Sequence, residues 1–303
     1  MCKMGQWIWI NGSVQPMADA RIDVQDRGFQ FADGVYEVVR TYQGRTFTLA
    51  EHLNRLAKSA DALGIPLPLT TAALAGEIRK FIAKEGLHEG MVYIQLSRGV
   101  AERNHVYPVD MHPTLLFYGT PLSELPPIGG GQGMKVLPVP DERWRKCWIK
   151  SIALLANILA KNEAVAIGYD EAVFIDDGRV TEGASTNFFA VIDGIVVTAP
   201  NGPKILPGIT RQILLDIAPS IGEAIIERPI MESEIANASE MFLTSSTREL
   251  MWISHWGNRH VSTECGPVTR KLHAAFRDYV RKDTGLGEVA SKPTATPASR
   301  VLA

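Results

Sequence analysis

Two lysines lying close together in the sequence are candidates for covalent chemistry. The stretch RWRKCWIKSIALLANILAKNEA, Arg143 to Ala164, holds Lys150 directly before Ser151 and a long apolar segment, and Lys161 deep in the helix that this segment predicts. An amine kept among apolar neighbours is held partly uncharged and becomes a nucleophile towards carbonyl groups. Lys161 has polar neighbours and is more simply interpreted as a surface lysine whose aliphatic stem lies along the protein.

The position of Lys150 favours a reactive role. If the segment before it is a strand, Trp148 and Lys150 share one face while Cys147 and Ile149 share the other. Ser151 then caps the helix that follows, which puts Lys150 at a strand-to-helix junction facing a cleft. The alternative from position alone is a surface lysine at the end of a strand.

A second pattern is typical of phosphate binding. LPGITRQILLDI has Gly208 directly before a helix whose first amides belong to Ile209 and Thr210. Free amides and the positive end of the helix dipole together form an anion site, although an ordinary glycine at a helix start explains the same pattern. The hydroxyls of LTSST, at a strand end, and Arg55, in EHLNRL, are further donors. Arg55 alone is equally well interpreted as a solvated helix arginine.

A carboxylate completes the set. Glu182 closes a predicted strand in RVTEGASTNFF, just before a run of hydroxyls. A lysine that forms a Schiff base, a phosphate site at a helix start and a carboxylate for a pyridinium nitrogen are what pyridoxal 5'-phosphate requires. The three patterns together therefore predict this cofactor.

The elements that must hold these residues fall into two sets separated by a Pro- and Gly-rich stretch. In the first set, strands and hairpins alternate with two helices, which predicts a small α+β domain over residues 1–120. Residues 121–133, PLSELPPIGGGQG, read as an interdomain linker. The sequence of residues 134–286 predicts a second, larger domain of strands with four helices, and residues 287–303 are expected to form a disordered tail. The helices are expected in EHLNRLAKSADALG, TTAALAGEIRKFIAKEGL, SIALLANILAKNEA, ITRQILLDIAPSIG, ESEIANAS and VTRKLHAAFRDYVRKDTG.

Composition narrows the class of protein. The chain has 303 residues, 21% of them charged, and a net charge of -2, which gives no electrostatic reason to expect nucleic acid or an anionic membrane as partner. No apolar run is long enough to span a membrane, and no signal peptide is recognisable. Three widely spaced cysteines favour reduced thiols, and no Cys/His cluster has metal-ligand spacing. We therefore expect a cytoplasmic protein without a metal.

Seven segments, in order and spacing, resemble the class IV aminotransferases, which are fold-type IV pyridoxal phosphate enzymes, and among them most resemble the D-amino acid transaminases. The resemblance runs from about Gly5 to about Leu286. It implies a two-domain α+β fold with a small N-terminal domain and a larger, mixed β-barrel-like C-terminal domain carrying helices. The matching segments are DRGFQFADGVYEVVRTY, EHLNRL, SRGVAERNH, KSIALL, VTEGASTNFF, LPGITR and LTSST.

The resemblance implies specific roles. Lys150 is the catalytic lysine that forms the Schiff base, and Glu182 is the partner of the ring nitrogen. The cofactor phosphate is bound by Arg55, Ile209, Thr210 and Ser246.

Substrate recognition is implied by a second group of residues, Tyr36, Arg103 and His105, which capture the substrate carboxylate. In the D-specific enzymes the segment with the Arg-x-His pair comes from the neighbouring subunit, so the resemblance implies a homodimer. A guanidinium, an imidazole and a phenol together suit a carboxylate. Without the resemblance, Arg103 to His105 is interpreted as a polar loop.

The implied reaction is a ping-pong transamination from a D-amino acid such as D-alanine to a 2-oxo acid such as 2-oxoglutarate. Three alternatives share the fold and cofactor: a branched-chain L-amino acid aminotransferase, an (R)-selective amine transaminase and an aminodeoxychorismate lyase. A cofactor-free binding protein is the alternative from another class.

Four positions depart from the pattern of the D-specific enzymes. Ala32 stands in place of a usual glycine, Trp148 in place of a small acidic residue and Ala153 in place of an asparagine. Arg248 stands where a small residue is usual. If Arg248 points inward, it is expected to change the side-chain preference or to favour substrates with a second carboxylate.

Overall fold

A computed structural model describes residues 5–129 and 131–286. The N-terminal part is an antiparallel six-stranded sheet in the order β2-β1-β6-β5-β3-β4. Asn-Gly and Gln-Gly turns close its hairpins at residues 11–12 and 43–44, where all four residues have positive φ, as such tight turns require. The strands are β1 (Trp7–Ile10), β2 (Ser13–Pro16), β3 (Gly34–Tyr42), β4 (Arg45–Thr46), β5 (Gly90–Ser97) and β6 (Thr114–Pro121).

Two helices cover one face of this sheet, α2 (Leu49–Ala62) and α3 (Thr71–Glu85), after the short helix α1 (Arg27–Phe31). Apolar residues at helical spacing, such as Leu53 and Leu56, are fully buried against the strands. The hydroxyl of Thr70 caps α3 by accepting a hydrogen bond from the amide of Ala73 at 3.2 Å, so the predicted helix start is confirmed.

The C-terminal part is built on a closed barrel. Six strands form the ring β10-β14-β15-β7-β8-β9, which closes where Asn187 of β10 pairs with Glu182 of β9. The pairs β7–β8 and β7–β15 are parallel and the others antiparallel. The strands are β7 (Met134–Pro140), β8 (Glu171–Asp176), β9 (Arg179–Gly183), β10 (Asn187–Ile192), β11 (Ile195–Thr198), β12 (Ile225–Glu227), β13 (Ile230–Met231), β14 (Ala238–Ser245), β15 (Glu249–Trp256) and β16 (Arg259–His260).

The helices of this part are α4 (Leu155–Ala166), α5 (Ile209–Ile217) and α6 (Pro267–Thr284), with 3-10 helices at Ala218–Ile221 and Glu232–Asn237. Apolar side chains fill the barrel. A separate cluster lies between the barrel and helices α5 and α6, and it includes Tyr42 and Phe47 from the N-terminal hairpin. The Tyr42 hydroxyl also donates to the buried carboxylate of Glu249 at 2.7 Å. The two parts of the chain are therefore packed against each other.

The segment around Lys150 differs from the sequence prediction. Residues 147–150 are not a strand, and Ser151 does not cap a helix, because α4 begins only at Leu155 without a side-chain cap. Ser151 instead forms an isolated antiparallel bridge with Val35 of β3. The predicted alternation still holds, since Cys147 and Ile149 are buried while Trp148 is exposed.

Other whole segments are also compared with the sequence predictions. The helix expected in ESEIANAS is a 3-10 helix, and the strand β15 was not anticipated. The tail expected to be disordered, residues 287–303, lies outside the described residues. Within residues 5–129 and 131–286, no helix combines the length and apolar character that crossing a membrane demands.

Candidate active site

One cavity of about 550 Å³ brings together side chains from both parts of the chain. Most of the residues predicted to bind a cofactor or substrate line it. They are Tyr36, Arg55, Lys150, Glu182, Ile209, Thr210 and Ser246. Arg103 and His105 do not line it.

Lys150 is held by backbone hydrogen bonds to the N-terminal part. Its carbonyl accepts from the amide of Tyr36 at 2.9 Å, and its amide donates to the hydroxyl of Ser59 at 3.2 Å. The half-buried amine lies 4.2 Å from the centre of the Tyr36 ring. No carboxylate in the described residues lies within 4.0 Å of the Lys150 amine, in contrast to Lys161. The backbone is therefore fixed while the amine faces the cavity without an ion-pair partner.

Lys161 is outside the cavity lining. Its amine forms an ion pair of 3.0 Å with Glu171 and also donates to the carbonyl of Asp170. This is an ion-paired structural role and not simply that of a solvated surface lysine. Of Lys150 and Lys161, only Lys150 lines the cavity.

Glu182 is a buried carboxylate at the point where the barrel closes. Three donors bind its oxygens: the guanidinium of Arg143 at 2.6 Å, the amide of Leu206 at 2.9 Å and the side-chain amide of Asn187 at 3.0 Å. Burial raises the pKa of Glu182 to about 7, against the opposing effect of Arg143 and of the Leu206 amide. The carboxylate is thus rigidly held, and a cationic group in the cavity would favour its ionised form.

The arginine beside Glu182 is fixed in turn. Arg143 is bound to Asp141 by hydrogen bonds of 3.0 and 2.8 Å, and its guanidinium lies 4.3 Å from the Phe174 ring centre. Asp141 thus holds Arg143, and Arg143 orients the carboxylate of Glu182. Sequence reasoning missed both Arg143 and Asn187, although both lie in stretches that were considered for chemistry.

Arg55 is part of a buried cluster on β3 and α2. Its guanidinium donates to the fully buried Glu37 at 2.6 and 2.9 Å and to the carbonyl of Pro207 at 2.8 Å. His52 contacts the same carboxylate at 2.7 Å. Burial by itself raises the pKa of Glu37, but Arg55 and His52 outweigh it and hold the pKa well below its usual range.

This cluster leaves part of Arg55 available. A guanidinium has five N–H groups, and the hydrogen bonds to Glu37 and Pro207 engage one on each of its three nitrogens. A second N–H therefore remains on each terminal nitrogen. Glu37 was not singled out in the sequence, although a charged residue on the same face of β3 as the buried Val35 and Val39 signals a buried partner.

The start of α5 lies at the same cavity. Gly208 is its N-cap, and no side chain caps the helix, so the first amides are available to an anion. A Cβ at Gly208 would lie 2.0 Å from the side-chain oxygen of Asn187, which makes glycine necessary there. Within the described residues the buried hydroxyl of Thr244, also in the lining, has no hydrogen-bond partner.

Arg103 and His105 lie on an exposed loop away from this cavity. Both stack near Phe31, with the Arg103 guanidinium 4.6 Å and the His105 ring 5.7 Å from its ring centre. Arg27 holds the loop by donating to the carbonyls of Asn104 and His105 at 2.6 and 3.4 Å. A single chain therefore does not bring these two side chains to Lys150.

The four positions that depart from the pattern of the D-specific enzymes lie in different surroundings. Ala32 has φ of 55°, in the left-handed region that favours glycine, which explains the glycine usual there. Trp148 is exposed and outside the cavity lining, whereas Ala153 and Arg248 line the cavity. Arg248 thus points to the cavity. This is the condition under which the sequence analysis expects it to change the side-chain preference or to favour a second carboxylate.

Comparisons with known proteins agree with this architecture. Residues 34–256 match the family described as amino-transferase class IV. The chain is 34% identical over 278 residues to a D-alanine aminotransferase of Bacillus licheniformis, covering 91% of this chain and 98% of that protein. It is 36% identical over 289 residues to a D-alanine aminotransferase of Listeria monocytogenes, covering 93% of this chain and 99% of that protein.

A solved structure shows the same fold. The branched-chain amino acid aminotransferase of Escherichia coli superposes with a TM-score of 0.85 at 24% identity, covering 92% of this chain and 96% of that one. The predicted two-part α+β fold with a barrel-like C-terminal part is thereby confirmed. The cavity lies where the two parts of the chain meet. The family match and the similar D-alanine aminotransferases show that the chain belongs to the class IV aminotransferases.

Proposed function

We propose that the protein transfers amino groups from D-amino acids such as D-alanine to a 2-oxo acid such as 2-oxoglutarate, with pyridoxal 5'-phosphate as cofactor. The observation that carries the proposal is that the amine of Lys150, the buried carboxylate of Glu182 and the open start of α5 face one cavity. Substrate class is supported by the relatives named D-alanine aminotransferase, at 34–36% identity over about 90% of the chain. A solved branched-chain amino acid aminotransferase, 25% identical with a TM-score of 0.83, is described with pyridoxamine 5'-phosphate.

The residues present fit this cofactor. The uncapped helix start, the unpartnered hydroxyl of Thr244 and the free N–H groups of Arg55 are donors suited to a phosphate. Glu182 is an acceptor suited to a protonated ring nitrogen. The phosphate would be held by Arg55, the amides of Ile209 and Thr210, and Ser246.

Bound pyridoxal phosphate supplies an aldehyde that condenses with amines and a ring that accepts the electron pair released from the substrate α-carbon. Glu182 would hold the ring nitrogen in its protonated form, and Arg143 and Asn187 keep Glu182 in position. The amine of Lys150 removes the proton from the substrate α-carbon, because its fixed backbone and free amine suit a general base. Tyr36, whose ring lies beside this amine, orients it and contributes to the carboxylate site.

We propose further that the active form is a homodimer in which Arg103 and His105 of one subunit reach the cavity of the other. Their loop is exposed, and neither residue lines the cavity of its own chain. Helix α4, which follows Lys150, has only Ala164 buried and exposes the apolar residues Leu155, Ile158 and Leu159. A second copy of the chain would cover this apolar face beside the active site.

The substrate class is tested by a steady-state assay of D-alanine, D-glutamate and L-leucine as donors to 2-oxobutanoate, because D-glutamate and 2-oxoglutarate would only exchange into each other without net reaction. We expect both D-amino acids to react and L-leucine to stay at the background of a Lys150→Ala variant, while a Lys161→Ala control keeps the wild-type rate. A preference for L-leucine would indicate a branched-chain enzyme instead. Release of pyruvate from aminodeoxychorismate without an acceptor would indicate a lyase, and turnover of amines without a carboxylate an amine transaminase.

A further inference from the structure

The arginines that line the cavity differ in whether a carboxylate of the chain pairs with them. Three arginines line it, Arg55, Arg143 and Arg248. Arg55 is paired with Glu37, and Arg143 with Asp141 and Glu182. Within residues 5–129 and 131–286, Arg248 has no carboxylate within ion-pairing distance. A cationic side chain is therefore presented to the cavity without a counter-charge from the chain.

The contacts of Arg248 hold its backbone but do not neutralise its side chain. Its amide donates to the hydroxyl of Ser245 at 3.2 Å, which fixes the turn between β14 and β15. Its guanidinium lies 3.2 Å from the thioether sulfur of Met134. A thioether is a weak acceptor without charge, so most of the guanidinium N–H groups remain available to a ligand.

The other anionic groups of the reaction already have partners in the proposed function. The phosphate is assigned to the start of α5 with Arg55 and Ser246, and the substrate α-carboxylate to Tyr36 with Arg103 and His105 of the second subunit. Arg248 is assigned to neither. A planar guanidinium binds a carboxylate through two parallel hydrogen bonds, so an additional carboxylate on the substrate is the ligand that suits it.

We propose that Arg248 binds the distal carboxylate of dicarboxylic substrates and so makes acidic D-amino acids, and 2-oxo acids with a second carboxylate, preferred substrates. The inference rests on the proposed function, because it places the end of the substrate side chain at Arg248 while the amino group of the same substrate faces Lys150. Arg248 is then a determinant of specificity and takes no part in proton transfer.

The test compares two donors of nearly equal shape, D-glutamate and neutral D-glutamine, with 2-oxobutanoate as acceptor. The ratio of kcat/KM for D-glutamate to that for D-glutamine is measured for the holoenzyme of the wild type and of Arg248→Gln. Charge-assisted hydrogen bonds of this kind support an expected fall in the ratio of about tenfold in the variant. Arg79→Gln, an exposed arginine on α3 outside the cavity lining, is the matched control and should keep the wild-type ratio.

A ratio that stays within about twofold of the wild type would overturn the proposal, including the case in which both donors slow equally because Arg248 binds the α-carboxylate or the cofactor. A binding measurement separates this failure from failure of the proposed function. Calorimetric titration of the holoenzyme with glutarate and with pentanoate requires no turnover. Wild type should prefer glutarate and Arg248→Gln should lose that preference, whichever enantiomer of amino acid the enzyme uses; equal preferences in the two proteins would contradict the assignment.

Discussion

At the scale of single residues, the site is a set of charges that are held by other charges. Glu182 is fixed by Arg143 and Asn187, and Arg55 by Glu37. Such buried pairs cost desolvation energy and contribute little net stability. Their value here is positional, because they present a carboxylate and two guanidinium N–H groups to the cavity in fixed directions.

Glu182 provides a pH-dependent test of this arrangement. In the cofactor-free protein its pKa of about 7 lies above the ordinary value of 4.5. The folded state then binds more protons than the unfolded state between these pH values, so the contribution of Glu182 is fully present below pH 4.5 and is lost as pH rises through 7. We expect wild type to lose up to about 3 kcal/mol more unfolding free energy than Glu182→Gln between pH 4.5 and 8.

Urea denaturation of the two cofactor-free proteins, at equal concentration across this pH range, measures the difference. Because every other titrating group is shared, the comparison isolates Glu182. An identical pH dependence in both proteins would show that Arg143 and the other donors hold the carboxylate ionised throughout.

At the scale of elements, local chemistry predicted much of the fold. The turns at Asn11-Gly12, Asp177-Gly178 and Asp193-Gly194 all have positive φ at both residues, as the turn residues required. The amphipathic helices α2, α3, α5 and α6 form where apolar periodicity predicted them. These features depend on neighbours in the chain, which is why the sequence alone was sufficient for them.

Elements decided by distant contacts were harder to predict. Strand β15 is buried on both faces, between the barrel interior and the outer helices, so it lacks the alternation of a half-exposed strand. Ser151 is a residue type that often caps a helix, but here it pairs with Val35 and the helix begins only at Leu155. Two partners come from remote segments, Arg143 for Glu182 and the carbonyl of Pro207 for Arg55, and no spacing in the sequence indicates them.

At the scale of the whole molecule, the cavity lies where two parts of the chain meet. We propose that residues 1–120 and 134–286 are two domains joined by residues 121–133, with Tyr36 and Arg55 contributed by the first and Glu182 by the second. Of the described residues between Leu122 and Gly133, none belongs to a helix or strand. This division would place the site between the two domains, with walls contributed by both.

The proposed dimer can be tested by mixing two inactive variants, because each active site would need residues of both subunits. A Lys150→Ala variant and an Arg103→Ala/His105→Ala variant should each be nearly inactive as homodimers. After mixing with subunit exchange, hybrid dimers combine an intact Lys150 with an intact loop from the other subunit at one of their two sites. Random exchange should therefore restore about a quarter of the wild-type specific activity.

The control for this experiment is Lys150→Ala mixed with Lys150→Ala/Arg103→Ala, which has no intact lysine and should stay inactive. Sedimentation of the wild type at the assay concentration should show a dimer. Absence of recovered activity in exchanged dimers would contradict the assignment of the loop to the neighbouring cavity.

The claim on which the account depends is that the amine of Lys150 forms the covalent bond to the cofactor. Borohydride reduction of the cofactor-loaded protein, followed by proteolysis and mass spectrometry, identifies the modified lysine directly. We predict a pyridoxyl group on Lys150 in wild type and in Lys161→Ala, and none in Lys150→Ala. Modification of Lys161 in wild type, or of no lysine at all, would contradict the account.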